Sequence, residues 1–449
     1  MKSIFLALFI TMFWACSASD QQSTINEIKI EKIFKEPIIP VGDVSDIVLY
    51  SSKPYRQDGA GYLGVDFENL PTDRAITFAK VNTEKESITL ERIIDQLTVL
   101  GGGTIFIPSG QYVFKNIELK SNIHITFDKG VEIHMDTTRG GKGFLFNLGV
   151  HAADQNLVQN VKLIGLGSPA ERPKLFLERS GNAFRRAVAF GHAQNVLVEN
   201  FSIYDEYTKG TAIAFNPVQI DETSAHIPEN VTIANISMTG ASIGYGLAQT
   251  NTGKNILLKN LVFEGGMTCR IEAHTGRHLD IGVYNIIIKN VVSKHGKAAV
   301  LLQPHSVVNG RVMVDVAMSV GSSWTLFLKN GFVAKDSKRR AKGSFHASSK
   351  FKNISMVSTD DTASMSFKNF KYVPENLKYL YHPPSFVRNA ADVNHTLGAD
   401  GNFSNESPIT GPSVAVVFID ASYLLNIPKT QEIALNGVVL DRIKLYRID

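Results

Sequence analysis

An all-β, single-stranded right-handed parallel β-helix, a solenoid with an N-terminal capping helix, is the fold this sequence predicts, and three observations carry the prediction. The first is a repeat: Asn followed by alternating apolar residues, in NIHITF at Asn122, NVKLIG at Asn160, NVLVENFSI at Asn195, NVTIANISM at Asn230, NILLKNLVF at Asn255, NIIIKNVVS at Asn285 and NISMVS at Asn353. Starts lie 38, 35, 35, 25 and 30 residues apart through Asn285. That is too irregular for propeller blades and too long for hexapeptide solenoids, but it suits coils with insertions of varying length. The second is the stretch GGGTIFIPSGQYVFKNIELKSNIHITFDKG at 101–130, short strands punctuated by Gly and Pro. The third is composition: 35 glycines in 449 residues, with 44% hydrophobic and 20% charged residues, support a large core with tight turns.

Taken in order, MKSIFLALFITMFWACSASD has a basic start, an apolar run and small residues. It reads as a signal peptide over 1–19, of the lipoprotein type, with Cys16 as the lipidated residue. Residues 20–60 form an extended N-terminal segment, and 61–449 the β-helix domain. Residues 87–98, SITLERIIDQLT, place Ile88, Leu90, Ile93, Ile94 and Leu97 on one helical face, suited to closing the open end of the solenoid. An inward Asn at each turn would satisfy buried backbone groups. The run 334–347, AKDSKRRAKGSFHA, is a short basic surface loop, and VAVVFIDASYLLNI with IALNGVVLDRIKLYRI supplies the last strands.

Bulk properties exclude several functions. The formal net charge of +4 neither demands nor repels a polyanion. With only Cys16 and Cys269, a disulfide scaffold and a Cys-based metal site are excluded. No later stretch is long and apolar enough to span a bilayer.

The sharpest site candidate is GGMTCRIEAHTGRHLD at 265–280. On a strand, Thr268, Arg270, Glu272 and His274 share one face, and Met267, Cys269, Ile271 and Ala273 the other. Cys269 on the apolar side reads as a buried, inert thiol. Residues two apart on a strand project about 6.6–7 Å apart, within the ~6.5–9.5 Å that an inverting glycosidase needs between acid and base. As an acid, Glu272 needs a raised pKa. Arg270 on the same face pushes the other way and is better placed to bind an anionic group. Taken alone, the row also fits the solvated face of a sheet. Two neighbouring coils add polar groups: GYGLAQT brings Gln249, and LLQPH brings Gln303 and His305.

GYGLAQT, NILLKNL, EGGMTCRIE and KAAVLLQPH with the following NG, in this order and spacing, resemble the iota-carrageenases, glycoside hydrolase family 82. The resemblance continues through GFV at 331–333 and GPSVAVVFID at 411–420, and covers residues 60–335 best. It implies an endo-acting, inverting hydrolysis of β-1,4 linkages in a sulfated galactan. By resemblance Glu272 stands at the general acid, Gln249 at a glutamine that positions the catalytic water, and His305 at an active-site histidine. Arg270 and Arg311 are sulfate-binding candidates on charge alone, and Gln303, Tyr245 and Arg277 complete the expected substrate-binding set.

The chain departs from the family in two places. The family pattern Glu-x-Asp, whose Asp is the general base, becomes Glu272-Ala273-His274. The base is then His274, or Asp280 if the shortened 275–279 loop folds back. The family's subdomain after GFV is replaced by the short loop near 334–347, so the groove should be more open. No cofactor is required for the chemistry. The resemblance allows a structural calcium or sodium ion, although no EF-hand-like run is present. The expected partner is a sulfated polysaccharide, with no nucleic acid, membrane contact only through a lipid on Cys16, and a monomeric state. The expected location is secreted, periplasmic or anchored at the outer membrane. Two other classes compete: a glycan-binding β-helix without catalysis, and a polysaccharide lyase, which lacks the expected Asp/Glu–Lys cluster.

Overall fold

A computed structural model describes residues 74–136, 142–151, 156–178, 184–358, 362–382, 408–420 and 445–447. The expected signal peptide, Cys16 and the 20–60 segment lie outside these residues. The described chain is the predicted parallel β-helix. Each coil contributes a long strand to one sheet and a short strand to a second. In the second sheet the strands Lys142–Leu148, Phe184–Phe190, Ile213–Phe215, Gly246–Thr250, Met267–Glu272, Ala298–Gln303, Trp324–Lys329 and Ala415–Asp420 are successive parallel neighbours.

Register explains the core. Val161, Val196, Val231, Ile256, Ile286 and Val312 stack directly on one another, and all are buried. Each such side chain contributes about 1.5–3 kcal/mol by leaving water. The strand Ala193–Asp205 pairs with Val158–Gly165 through its first half and with Lys174–Leu177 through its second. One strand therefore spans two faces, and they meet at Asn200, which has φ +65°.

The expected capping of backbone carbonyls is seen at Asn122 and Asn200, while the other first-row asparagines bond to one another. Asn122, Asn160, Asn195, Asn230, Asn255 and Asn285 all hold positive φ, which Asn tolerates better than other residues with a Cβ. Each carboxamide from Asn160 onward donates to the Oδ1 of the Asn one coil earlier, at 2.7–3.3 Å. Asn122 donates to the Gly101 carbonyl at one end. At the other end, Arg311 Nε donates to Asn285 Oδ1 at 2.8 Å. Arg311, expected to bind sulfate, thus terminates the ladder through its Nε and sits exposed at the first-sheet edge of its coil. Asn353 belongs to a second row with Asn200, Asn235, Asn260 and Asn290, where the backbone also turns at positive φ.

Val316 occupies this second row at φ +60° and is 42% exposed. A β-branched residue there is strained by about 1–3 kcal/mol. We expect Val316→Asn to relieve the strain and restore the row between Asn290 and Asn353, stabilising the protein by about 1–2 kcal/mol. A chemical-denaturation midpoint that does not rise would refute this.

The capping helix spans Thr83–Val99 and buries Leu90, Ile93, Ile94 and Leu97. Ile88 is 58% exposed, a correction to the expected face; Glu86 and Thr89 are buried in its place. The Glu86 carboxylate earns burial by accepting the Val113 N–H at 2.6 Å.

Candidate active site

The outer face of the second sheet carries the site. The strand Met267–Glu272 alternates as expected only at its end. Cys269 and Ile271 point into the main core with Ala248, Val300 and Leu302. Arg270 and Glu272 point out. Thr268 does not: it is fully buried, and its hydroxyl donates to the Val292 carbonyl. Met267 instead packs in an outer cluster with Ala298, Leu301, Trp324, Phe327 and Phe418. Neighbouring strands also place two consecutive residues inward, Leu247 with Ala248 and Ala299 with Val300. The sheet therefore turns a corner at Thr268, and period-two parity fails there. Burial pushes the Cys269 thiol far up, so it is inert at neutral pH.

Glu272 is 7% exposed and held from two sides. Its Oε2 accepts Arg270 Nη2 at 2.6 Å, and its Oε1 lies 3.2 Å from His305 Nε2. Burial alone would raise its pKa, but the Arg270 charge and the His305 hydrogen bond outweigh it and hold the carboxyl well below the usual range. In the free protein Glu272 is ionised, so His305 Nε2 carries the proton between them. His305, itself 3% exposed, packs at a tilt against Phe332 with ring centres 4.6 Å apart, and its ring lies 5.4 Å from that of His274.

His274 is exposed at the mouth of the site. Partial burial, then the Arg277 charge, pulls its imidazole below the ordinary value, partly offset by Glu272. It is neutral at pH 7, as a base must be. Asp280 is exposed, at φ +58°, at the far end of the turn. Among the described residues no hydrogen bond or ion pair joins it to Glu272, His274 or His305, so the loop does not bring it into the cluster.

The remaining candidates divide. Gln249 stands beside Arg270 in register and is 9% exposed. Its Oε1 accepts the Thr211 hydroxyl, and its Nε2 donates to Asn251, which in turn donates to Asn216. Gln303 is level with Glu272 on the next strand. The Tyr245 ring lies 6.0 Å from the Arg270 guanidinium. Arg277 is engaged within the protein: Nε and Nη2 grip both Asp336 oxygens at 2.8 and 2.7 Å, and Nη1 donates to the His274 carbonyl. It fastens the His274 turn to the basic 334–347 loop, whose Lys338 N–H also donates to the Arg277 carbonyl.

The sequence reading missed Phe332, Thr211, Asn251, Arg186 and Lys297. Aligning the second-sheet strands coil by coil would have put Arg186 and Lys297 on the outer face. Among the described residues no group of three or more His, Cys, Asp or Glu side chains is placed to hold a metal ion.

The solenoid thus gathers a carboxylate, two imidazoles and an arginine on the outer face of its second sheet. No protein-family model matches the chain. The chain is similar to the iota-carrageenases. One from Alteromonas macleodii is 31% identical over 61% of this chain and 56% of its own length. One from Zobellia galactanivorans is 26% identical over 59% of this chain and 53% of its own. The chain thus matches little more than half the length of these curated relatives. Among solved structures, a family GH82 iota-carrageenase from A. fortis superposes with a TM-score of 0.67 at 21% identity, over 87% of this chain and 92% of that one. An iota-carrageenase complexed to iota-carrageenan fragments gives 0.60 at 22% identity, over 81% and 84%. These superpositions establish the shared fold.

Proposed function

We propose that this protein is an endo-acting, inverting glycoside hydrolase that cleaves β-1,4 linkages in a sulfated galactan, iota-carrageenan first among them. The observation that carries the reading is the Arg270–Glu272–His305 cluster with a neutral His274 beside it, in a chain similar to iota-carrageenases. Glu272 is the general acid and His274 the base that activates water, which Gln249 helps to position. His305 orients Glu272, and Phe332 offers an apolar face to a sugar ring.

An acid must carry a proton when the bond breaks, and Glu272 is ionised in the free protein. Substrate supplies the change. A sulfate ester on Arg270 weakens the Arg270–Glu272 pair and adds negative charge beside the carboxylate, and both effects raise its pKa. The polysaccharide is the only partner this requires; the chemistry uses no cofactor. Export and lipid anchoring through Cys16 would place the enzyme where such polymers are met.

The second reading is a glycan-binding protein without catalysis. It is favoured by one observation: a histidine stands where the resembled family carries its aspartate base. A reducing-end assay on iota-carrageenan, with kappa- and lambda-carrageenan beside it, separates the two. New reducing ends from the iota form, without an ultraviolet-absorbing unsaturated product, support hydrolysis. Binding without new ends supports the second reading, and the unsaturated product would mean a lyase.

A further inference from the structure

A row of cations crosses the outer face of the second sheet, and among the described residues two of them have ring contacts but no hydrogen bond or ion pair. Lys297 precedes the strand Ala298–Gln303 and is 5% exposed. Its ammonium lies 5.1 Å from the centre of the Phe327 ring, and among the described residues no hydrogen bond or ion pair reaches it. Burial first, then the charges of Lys329, Lys368 and Arg270, pull its pKa well below the ordinary lysine value, with Glu272 acting the other way. Arg186, on the strand Phe184–Phe190, is 9% exposed. Its Nη1 is buried with no partner, and its guanidinium lies 4.7 Å from the centre of the Phe184 ring. Burial and the Arg270 charge lower its pKa to about 10. Arg270 itself keeps an unpartnered, buried Nε.

Glu272 pairs with the half-buried Arg270, whereas Arg186 and Lys297 are both buried and have no carboxylate bonded to them among the described residues. Buried charges are normally paired, and an unpaired one is retained at a cost to stability. Such a site is built for an anion supplied from outside. Strand order fixes the layout. Arg186 lies three strands before the Glu272 strand, about 14 Å along the axis at ~4.8 Å per strand, and Lys297 lies at the strand after it. A chain laid along the solenoid axis passes both. Resting on the substrate reading above, we propose that Arg186 and Lys297 are two sulfate-binding subsites at the starts of the second-sheet strands, three strands before and one strand after the one that carries Arg270 and Glu272. A sulfate ester is ionised throughout the working pH range and offers three acceptor oxygens to donors otherwise left bare.

Calorimetric titration of the full chain with sodium sulfate, against sodium chloride at matched ionic strength, and with an iota-carrageenan tetrasaccharide tests this. Lys297→Met and Arg186→Met are each expected to weaken tetrasaccharide binding at least tenfold and to reduce sulfate binding. Melting temperatures of the unliganded variants should not fall, because a buried polar group with no hydrogen-bond partner among the described residues has been removed. Lys297→Arg should retain part of the affinity. Glutamine variants replace any methionine variant that does not fold. Unchanged affinity in both positions overturns the proposal, as does a lowered melting temperature with affinity intact, which would make the two cations structural. Sulfate binding lost in the variants of a protein that cleaves no carrageenan would sink the substrate reading and leave the anion sites standing. Cleavage of iota-carrageenan by variants with wild-type affinity would do the reverse.

Discussion

Replacing Glu272 with glutamine is expected to lower turnover on sulfated galactan by about 10²–10⁴-fold, the range typical of losing a general acid. Glutamine keeps the shape and can still accept from Arg270, so the groove stays assembled and oligosaccharide binding is retained. Stability falls for a separate reason. Glu272 has its folded pKa depressed below the ordinary 4.5 by Arg270 and His305 against the effect of burial. A depressed carboxyl contributes stability above its unfolded pKa and loses it as pH falls through the folded value. The variant should therefore melt lower than wild type at neutral pH, with the gap closing in strong acid. Breaking a buried pair costs about 3–5 kcal/mol when one charge is left alone, so turnover must be measured where circular dichroism shows the variant folded. Turnover near wild type in that folded variant removes Glu272 from the acid's role.

The second large effect is expected at His274. His274→Ala should reduce turnover by about 10²-fold or more, and Asp280→Ala should change it little. The geometry argues for this order: the His274 ring packs on His305, which is bonded to Glu272, whereas Asp280 faces solvent across the turn. pH gives an independent check. A base works unprotonated, and the pKa of His274 lies below its ordinary 6.5 through burial and the Arg277 charge. The acid limb of the activity profile should then have its midpoint below 6.5. Arg277→Ala removes that charge and frees Asp336 nearby, and both changes move the limb to higher pH. An inactive Asp280→Ala beside an active His274→Ala would transfer the base to Asp280.

Much of the architecture was legible because the first sheet marks itself. Asparagine tolerates the left-handed backbone at each corner, so Asn122 to Asn285 signpost the coils. The second sheet has no such marker. Its strands are short, and their outward residues, Arg186 and Lys297, read as ordinary surface charge. The burial of Lys297 depends on neighbours far along the chain: it lies over Phe327, which the segment around Phe367–Tyr372 covers. Thr268 was misplaced because strand parity assumes an unbroken pleat, and the sheet turns a corner there. The family resemblance singled out Glu272, Gln249 and His305; the structure bonds His305 to Glu272 and sets Gln249 beside Arg270. That Arg311 and Arg277 are occupied by Asn285 and Asp336 depends on side chains 26 and 59 residues distant, and no local pattern encodes it.

The asparagine ladder also bears on how such a chain can be lengthened. Each rung needs only an identical rung above and below, so the coil is an interchangeable unit. Residues 230–254 form the shortest period, with Asn230 and Asn255 at matching rungs. A tandem copy of that period would present the same interface at both joins and carry the hydrogen-bonded column through unbroken, with Gly101 and Arg311 still closing its ends. Groove length then becomes a quantity set by gene duplication, gained one coil at a time without redesigning the core.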